Sequence, residues 1–511
     1  MTKIVWFYFI LGLLFSAGID AVWANPSYMD SDYYLAGGIQ LSRGAGFEEW
    51  TLWNYLDDPD GLPHPSHAYW MPLASILAAI EIRTRLPIFM LLSAGVVAMT
   101  VLLAIEFAPT EDPQRRRSIH IAGGLALLPG FYAGFLTIPD SFAAVMLLGG
   151  AACLIILRAW KNRRFAVAAA LGLGVIGGLQ HLARADGVLW AAAALAAAWY
   201  LSRHAGVRWT PRLAMVVVGY SIVMVPWLIR NQLEFGSLLA PGGARLLWMT
   251  SYDDLFAYPP QQINFSRWIS NGIPVILGDR LWALGQNLQT ALAVQGAIVL
   301  APLIVWAIWS KRDLLPVRIL GSLWIAILTA MTILFPYSGA RGGFFHSGAA
   351  LQPLFWAIVP VGLTQFIDWG RQARGWKMQQ AFQVFTVGLF LFAGIVTGMT
   401  AGSRGSGGKN EISPYLLVEE FLRAEGAGEG EIVMVNNPPG YYLAGNRPAI
   451  VIPSGGVSAI LAAAERFGAG FLVLEPHQGL DSLYRYPEGN PGLRYLGQVD
   501  NSMVFAVEEI P

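Results

Sequence analysis

The pattern of hydrophobic positions divides the chain into long apolar runs with short polar breaks, two long polar intervals, and a last fifth of a different kind. A run of about 18 or more mostly apolar residues can cross a bilayer core of about 30 Å, whereas one of about 10–14 more often lies at its surface. By that measure the sequence predicts eleven membrane-spanning helices, at about 4–24, 86–107, 119–136, 141–158, 165–181, 187–202, 213–229, 291–309, 316–335, 348–367 and 381–401. The run MPLASILAAIEI at 71–82 is too short to span and reads as a juxtamembrane helix on the membrane surface. Residues 25–85 then form one long loop and 230–290 a second, both rich in Trp, Tyr, Pro and Asp. Loops of this length are usually functional or disordered, and this composition favours order.

After residue 402 the pattern changes. SRGSGGKN at 403–410 has the composition of a flexible linker. Beyond it the apolar runs shorten to strand length, at 431–435, 449–452, 470–474 and 503–507, with helical patterns at about 413–425 and 456–467. This alternation predicts a small α/β domain over 411–511. It carries no Gly-rich phosphate fingerprint. The expected organisation is thus a transmembrane domain over 1–402, a linker, and an α/β domain.

Charge adds an orientation. Lys and Arg concentrate in cytoplasmic loops, and here they fall in alternate short loops: Arg115, Arg116 and Arg117; Arg158, Lys161, Arg163 and Arg164; Arg203, Arg208 and Arg212; Lys311, Arg312 and Arg318; Arg371, Arg374 and Lys377. The opposite short loops carry Arg184 and Arg341 alone. With Lys3 on the basic side, the N-terminus is expected in the cytoplasm, and both long loops and the C-terminal domain outside, in a cell (inner or plasma) membrane. Residues 1–24 also have the form of a signal peptide with Val22 and Ala24 at a cleavage site; either reading leaves the remaining topology unchanged.

Composition narrows the function. With 55% hydrophobic and 13% charged residues, the chain cannot cover a water-facing surface. A net charge of +0 removes any whole-chain case for a nucleic-acid partner. The single cysteine, Cys153, lies in an apolar run and is read as packing, so disulfides and thiolate metal sites have no support.

Candidate chemistry gathers at the ends of spans on the expected outer face. Asp30 and Asp32 follow span one; two carboxylates there suit a general base or a divalent cation, or form only a solvated acidic turn. Asp57, Asp58 and Asp60 read as loop. His64 and His67 have a spacing compatible with metal ligation, although a zinc site needs a further ligand; the other reading is interface anchoring by Tyr69 and Trp70 with histidines at the surface. Asp140, after Pro139, is either a second acid of the same site or a cap on the next helix. Arg184 and Asp186 suit an ion pair, while Arg230, Arg341 and His346 suit a phosphate or a lipid headgroup.

These motifs in this order resemble the GT-C glycosyltransferases, and within them the bacterial aminoarabinose transferases and protein O-mannosyltransferases. The resemblance covers about 1–401 and rests on Asp30-Ser31-Asp32 with Tyr34, Gly44-Ala45-Gly46-Phe47, Pro72-Leu73, Asp140, Arg184-Ala185-Asp186-Gly187, Pro226-Trp227 with Arg230-Asn231, and Arg341 with His346. It implies an α-helical polytopic membrane enzyme that moves a sugar, with inversion, from a polyprenyl-phosphate carrier to a lipid, glycan or protein acceptor on the outer face. It further implies Asp30 as the base, Asp140 as the second acid, and Arg230, Arg341 or His346 on the carrier phosphate. Where relatives often carry Asp-Glu this chain has Asp30-Ser31, with Asp32 one place on, so Asp32 stays open as the base, with Asp30 preferred. The sequence names no certain cofactor and does not disclose metal dependence; a divalent cation, if used, falls to Asp30 and Asp140. The competing reading is a transporter or flippase. Such proteins tend to place ionisable groups near the midplane and to show internal repeats, and the sequence offers neither.

Overall fold

The computed structural model describes residues 2–22, 28–108, 112–404, 413–476 and 480–508. Residues 405–410 of the expected linker and Ala24 of the cleavage-site reading lie outside the described residues. The chain forms two compact units, each gathered from three stretches. The first comprises Met1–Pro26, Pro87–Ile229 and Gly278–Gly407; the second comprises Ser27–Leu86, Arg230–Leu277 and Gly408–Pro511.

The first unit is helical. Among the described residues, Thr2–Ala21, Ile88–Phe107, Phe142–Lys161, Ala185–His204, Thr210–Phe235, Leu315–Leu334 and Met378–Gly402 are long and apolar enough to cross a bilayer. Pro336–Ala349 and Gln352–Arg374, bent by 72°, add an eighth if they form one span. The remaining expected spans are present in shortened form. Val167–Ala183 and Ala301–Ser310 replace the runs at 165–181 and 291–309, and the run at 119–136 is the helix Asp112–Leu127 followed by a 3-10 turn at Gly130–Phe135. Local chemistry accounts for the breaks. Pro129 and Gly130, the latter at φ 61°, stop one helix; a wide π turn at Ala291–Gln295 interrupts another. The groups freed at that turn find partners: Trp324 Nε1 donates to Gln295 Oε1 at 2.9 Å, and Gln352 Nε2 to the Gln295 carbonyl at 3.0 Å.

Helices pack without a hydrophobic driving force in lipid, so close contact depends on small residues. Gly174 on one helix meets Gly219 on another: a Cβ at Gly174 would lie 2.2 Å from the Val216 carbonyl oxygen, and one at Gly219 2.4 Å from that of Leu171. Cys153 is buried within Phe142–Lys161.

The second unit is α/β. Its strands are β1 (Glu48–Glu49), β2 (Thr51–Leu52), β3 (His64–Pro65), β4 (Ile432–Val435), β5 (Ala449–Val451), β6 (Ala469–Leu474), β7 (Leu493–Val499) and β8 (Ser502–Val507). β1 and β3 pair antiparallel, and the other six form one sheet in the order β2-β5-β4-β6-β8-β7. β2, β5, β4 and β6 are parallel, while β8 runs antiparallel to β6 and β7. The apolar runs read as strands are continuous because both faces are covered. Val433, Val435, Phe471, Val473 and Val504 pack on one side with Val418 and Leu422 of the helix Pro414–Ala424. Met434, Leu472, Leu474 and Phe505 pack on the other with Ile460, Ala463 and Phe467 of the helix Val457–Phe467.

Strands β1, β2, β3 and β7 were not read from the sequence; of these, β2 comes from the first long loop and forms the sheet edge, Thr51 opposite Ala449 and Leu52 opposite Ile450. Tyr55, fully buried, follows it into the core and donates its hydroxyl to the Val451 carbonyl. Tyr55→Ala is expected to cost about 3–5 kcal/mol locally, as large-to-small core substitutions do. The measurement is amide exchange at 449–452, which should accelerate; unchanged protection there would show that the loop is dispensable to the sheet.

Candidate active site

The sequence-selected residues divide between the two units. Asp140, Arg184, Asp186, Arg341 and His346 belong to the first; Asp30, Asp32, Tyr34, His64, His67 and Arg230 belong to the second.

In the first unit, polar groups collect where helices stop. Asp140 precedes the helix Phe142–Lys161 and is fully buried. Ser141 stands at the helix's N-cap position, and Asp140 Oδ1 accepts from the backbone and hydroxyl of Ser141, the latter at 3.1 Å. His346 Nδ1 lies 3.7 Å from the same oxygen and 3.4 Å from Ser141 Oγ, and its ring stacks on Phe142 with centroids 4.0 Å apart. Arg184, in the break between helices, donates through Nε to Asp186 at 3.0 Å and to Ser347 Oγ at 3.3 Å, and through Nη2 to the Gly343 carbonyl at 3.4 Å. Neighbouring residues of one short segment, His346 and Ser347, therefore meet the acid and the arginine. That segment begins in an irregular turn, Gly339–Gly343, holding Arg341 at φ −95° and Gly342 at φ 130°. Only glycine adopts the latter readily. A Cβ at Gly339 would lie 2.0 Å from the Met331 carbonyl oxygen, so the turn is seated tightly.

In the second unit, the helix Met29–Arg43 carries both early carboxylates in its first turn, where the helix dipole favours negative charge. Residues two apart on a helix point about 200° away from each other, so the two acids serve different surroundings. Asp32 is buried and accepts from Asn437 Nδ2 at 2.7 Å, whereas Asp30 is half-buried. The helix is held along its length by its partner Leu73–Thr84: Gly38 approaches so closely that a Cβ would lie 2.7 Å from Ala78 Cβ, and Arg83 bonds the Leu41 and Ser42 carbonyls at its end. The run at 71–82 is thus a helix packed on the acidic helix.

His64 and His67 are buried, not at the surface. His67 is satisfied at both ring nitrogens, by Ser66 Oγ at 2.7 Å and Ser75 Oγ at 3.0 Å, and its amide donates to Tyr33. His64 Nε2 is 3.2 Å from Glu49 Oε1, and its Nδ1 is buried 3.8 Å from Asp57 Oδ2, beyond hydrogen-bond reach. Desolvation depresses His64 to about 4 and His67 to about 3. It raises Asp57 to about 6 and Glu49 well above the carboxylate range, although Tyr33 hydrogen-bonds the latter. Tyr34 is packed against Tyr33 and Trp70. Arg230 reaches back to the Phe47 carbonyl at 3.1 Å and lies over the rings of Phe235 and Phe47.

Glu49 and Asp57 are the members the sequence did not single out: a Glu pair and an Asp-rich stretch look alike whether buried or solvated. Among the described residues, no three His, Cys, Asp or Glu side chains converge as a metal site requires, and Asp30 and Asp140 fall in separate units. No step below is routed through a cation.

The buried cluster carries a pH signature. Each imidazole is held below its unfolded value of about 6.5, so its stabilising contribution is present above that value and lost as pH falls through about 4 or 3. Asp57 has the opposite sign: raised to about 6, its contribution is present below about 3.9 and lost as pH rises through 6. In detergent unfolding series, the advantage of the wild type over His67→Gln is expected to shrink from pH 6.5 to 3, and that over Asp57→Asn from pH 4 to 6. Parallel curves would contradict the burial argument.

No protein-family model matches the sequence, and no curated protein matches it. Solved structures do match in fold. The oligosaccharyltransferase of Archaeoglobus fulgidus tethered to an acceptor peptide containing the NVT sequon superposes with a TM-score of 0.57 at 13% identity, over 99% of this chain and 74% of that one. The AglB oligosaccharyltransferase of the same organism, in complex with an inhibitory peptide and a dolichol-phosphate, gives 0.53 at 13%, over 92% and 69%. ArnT from Cupriavidus metallidurans bound to undecaprenyl phosphate gives 0.55 at 13%, over 99% of this chain and 98% of that one. The chain has the fold of these membrane proteins, and among its described residues seven helices are long and apolar enough to cross a bilayer.

Proposed function

We propose that the chain is an integral membrane glycosyltransferase that moves a sugar from a polyprenyl-phosphate carrier to a lipid, glycan or protein acceptor on the outer face of the cell membrane. The support is the fold, similar over nearly its whole length to ArnT bound to undecaprenyl phosphate, taken with the cluster of Asp140, His346 and Arg184 at helix ends of the first unit. In this reading the N-terminus is cytoplasmic and the long loops and C-terminal segment are extracytoplasmic, as the distribution of Lys and Arg implies.

Asp30 takes the proton from the acceptor hydroxyl or amine. The acceptor atom bonds to the anomeric carbon from the face opposite the carrier, the carbon–oxygen bond to phosphate breaks, and polyprenyl phosphate departs with the electron pair, so the configuration inverts. Asp140 is the second acid of the site. Arg184, Arg341 and His346 meet the charge that develops on the leaving phosphate, where fixed cations and donors contribute most. His64, His67, Tyr34 and Arg230 hold the first loop in shape, and Asp186 orients Arg184.

In membranes supplied with a panel of undecaprenyl-phosphate pentoses and hexoses, the wild type is expected to release undecaprenyl phosphate with one of them. Asp30→Asn should lower that rate at least about 100-fold, the lower range for general-base removal, with unchanged expression. Full activity in the variant would remove Asp30 as the base. Because Cys153 is the single cysteine, topology is testable by labelling introduced cysteines in a Cys153→Ser background. A cysteine at Ser338 should react with an impermeant reagent from outside and one at Ser310 should not; the reverse pattern would invert the assignment.

A further inference from the structure

The sheet of the second unit has a ligand crevice already filled by the chain itself. The chain leaves β4 toward β5 on one side, whereas it leaves the neighbouring strand β6 toward β7 on the other. In open α/β sheets, ligands bind outside the carboxyl ends of strands at such a reversal. Asn437 stands just past the end of β4, and Glu475, which accepts from Tyr415 at 2.7 Å, just past the end of β6. At this place Asn437 grips Asp32. Its Nδ2 donates to Asp32 Oδ2 at 2.7 Å, and its Oδ1 accepts from the Gly440 amide at 3.1 Å. The fit excludes a side chain at Gly440, where a Cβ would lie 2.5 Å from Asn437 Nδ2 and 2.9 Å from Asp32 Oδ2.

The grip is one of two on a single stripe. Asp32, Ala36 and Gln40 are four apart, share one helix face, and are all buried. At the far end Gln40 Nε2 donates to the Tyr442 hydroxyl at 2.7 Å. Asn437 caps one short helix, Pro438–Gly445, and Tyr442 lies within it, so that helix fixes both the position and the rotation of Met29–Arg43. Asp30, about 200° around from Asp32, is turned away from the stripe. We propose that Asn437 is a positioning residue of the transfer reaction: by holding Asp32 it sets the rotation of the acidic helix and so aims Asp30 at the acceptor. The inference rests on the reading of Asp30 as base, and it assigns the C-terminal segment a task in catalysis that needs no ligand of its own.

The test uses the full chain and undecaprenyl-phosphate sugar donors. Asn437→Ala is expected to lower kcat roughly 10- to 100-fold, the scale of a misplaced catalytic group, with KM for the donor within about twofold. The exchanged pair Asp32→Asn with Asn437→Asp rebuilds the hydrogen bond with its polarity reversed and should recover most of the rate. Amide exchange over 29–34 should accelerate in Asn437→Ala and return to normal in the exchanged pair. An unchanged kcat in Asn437→Ala overturns the proposal. So does an exchanged pair that is protected yet inactive, since the Asp32 carboxylate itself would then be the reacting group. If the wild type releases no undecaprenyl phosphate from any donor, the glycosyltransfer reading fails. The exchange data then decide the positioning claim alone, and unchanged protection at 29–34 in Asn437→Ala overturns it.

Discussion

Hydrocarbon supplies no hydrogen-bond partner, and this constraint orders the first unit. Within its apolar helices polar side chains seek partners on neighbouring helices, as Ser16 does with Ser93 at 2.9 Å and Gln180 with the Val145 carbonyl at 2.9 Å. Ionisable groups able to do chemistry collect instead where the helical ladder breaks. Asp140 follows a 3-10 turn, Arg184 sits in a one-residue gap between helical segments, and His346 follows a kinked turn that only glycines can form. The breaks both free backbone groups and give side chains directions that a straight span cannot offer.

In the second unit the same cost is met differently. His64, His67, Glu49 and Asp57 are buried in a loop region and shift toward their uncharged forms. Their contacts hold the first loop. Asp32 meets an amide, and Arg230 a carbonyl and two rings.

Much of this was legible in the sequence, for identifiable reasons. A long apolar run has one solution in lipid, so the helices at 88–107, 142–161 and 210–235 fall where expected. Strands β4, β5, β6 and β8 are buried on both faces, and their unbroken apolar runs say so. The helix Leu73–Thr84 was legible as a non-spanning helix from its length alone, yet not as the buttress of the acidic helix, because Gly38 announces a close approach without naming the partner. β2 was hidden for a related reason. Two residues, Thr51 and Leu52, carry no periodicity, and their partner lies near the other end of the chain. The split roles of Asp30 and Asp32 were open in the sequence because a spacing of two means opposite faces only once the segment is known to be helical.

The bond from Tyr55 to Val451 joins residues 396 apart, and that from Gln40 to Tyr442 joins residues 402 apart. Contacts of such separation form late, because loop closure must precede them. During synthesis the acidic helix emerges among the first residues but finds its stripe partner only after nearly every membrane helix has been made. The distance between β2 and β5 along the chain therefore acts as a timer: the helix that carries the proposed base gains its last contacts only after the helices of the first unit have been synthesised.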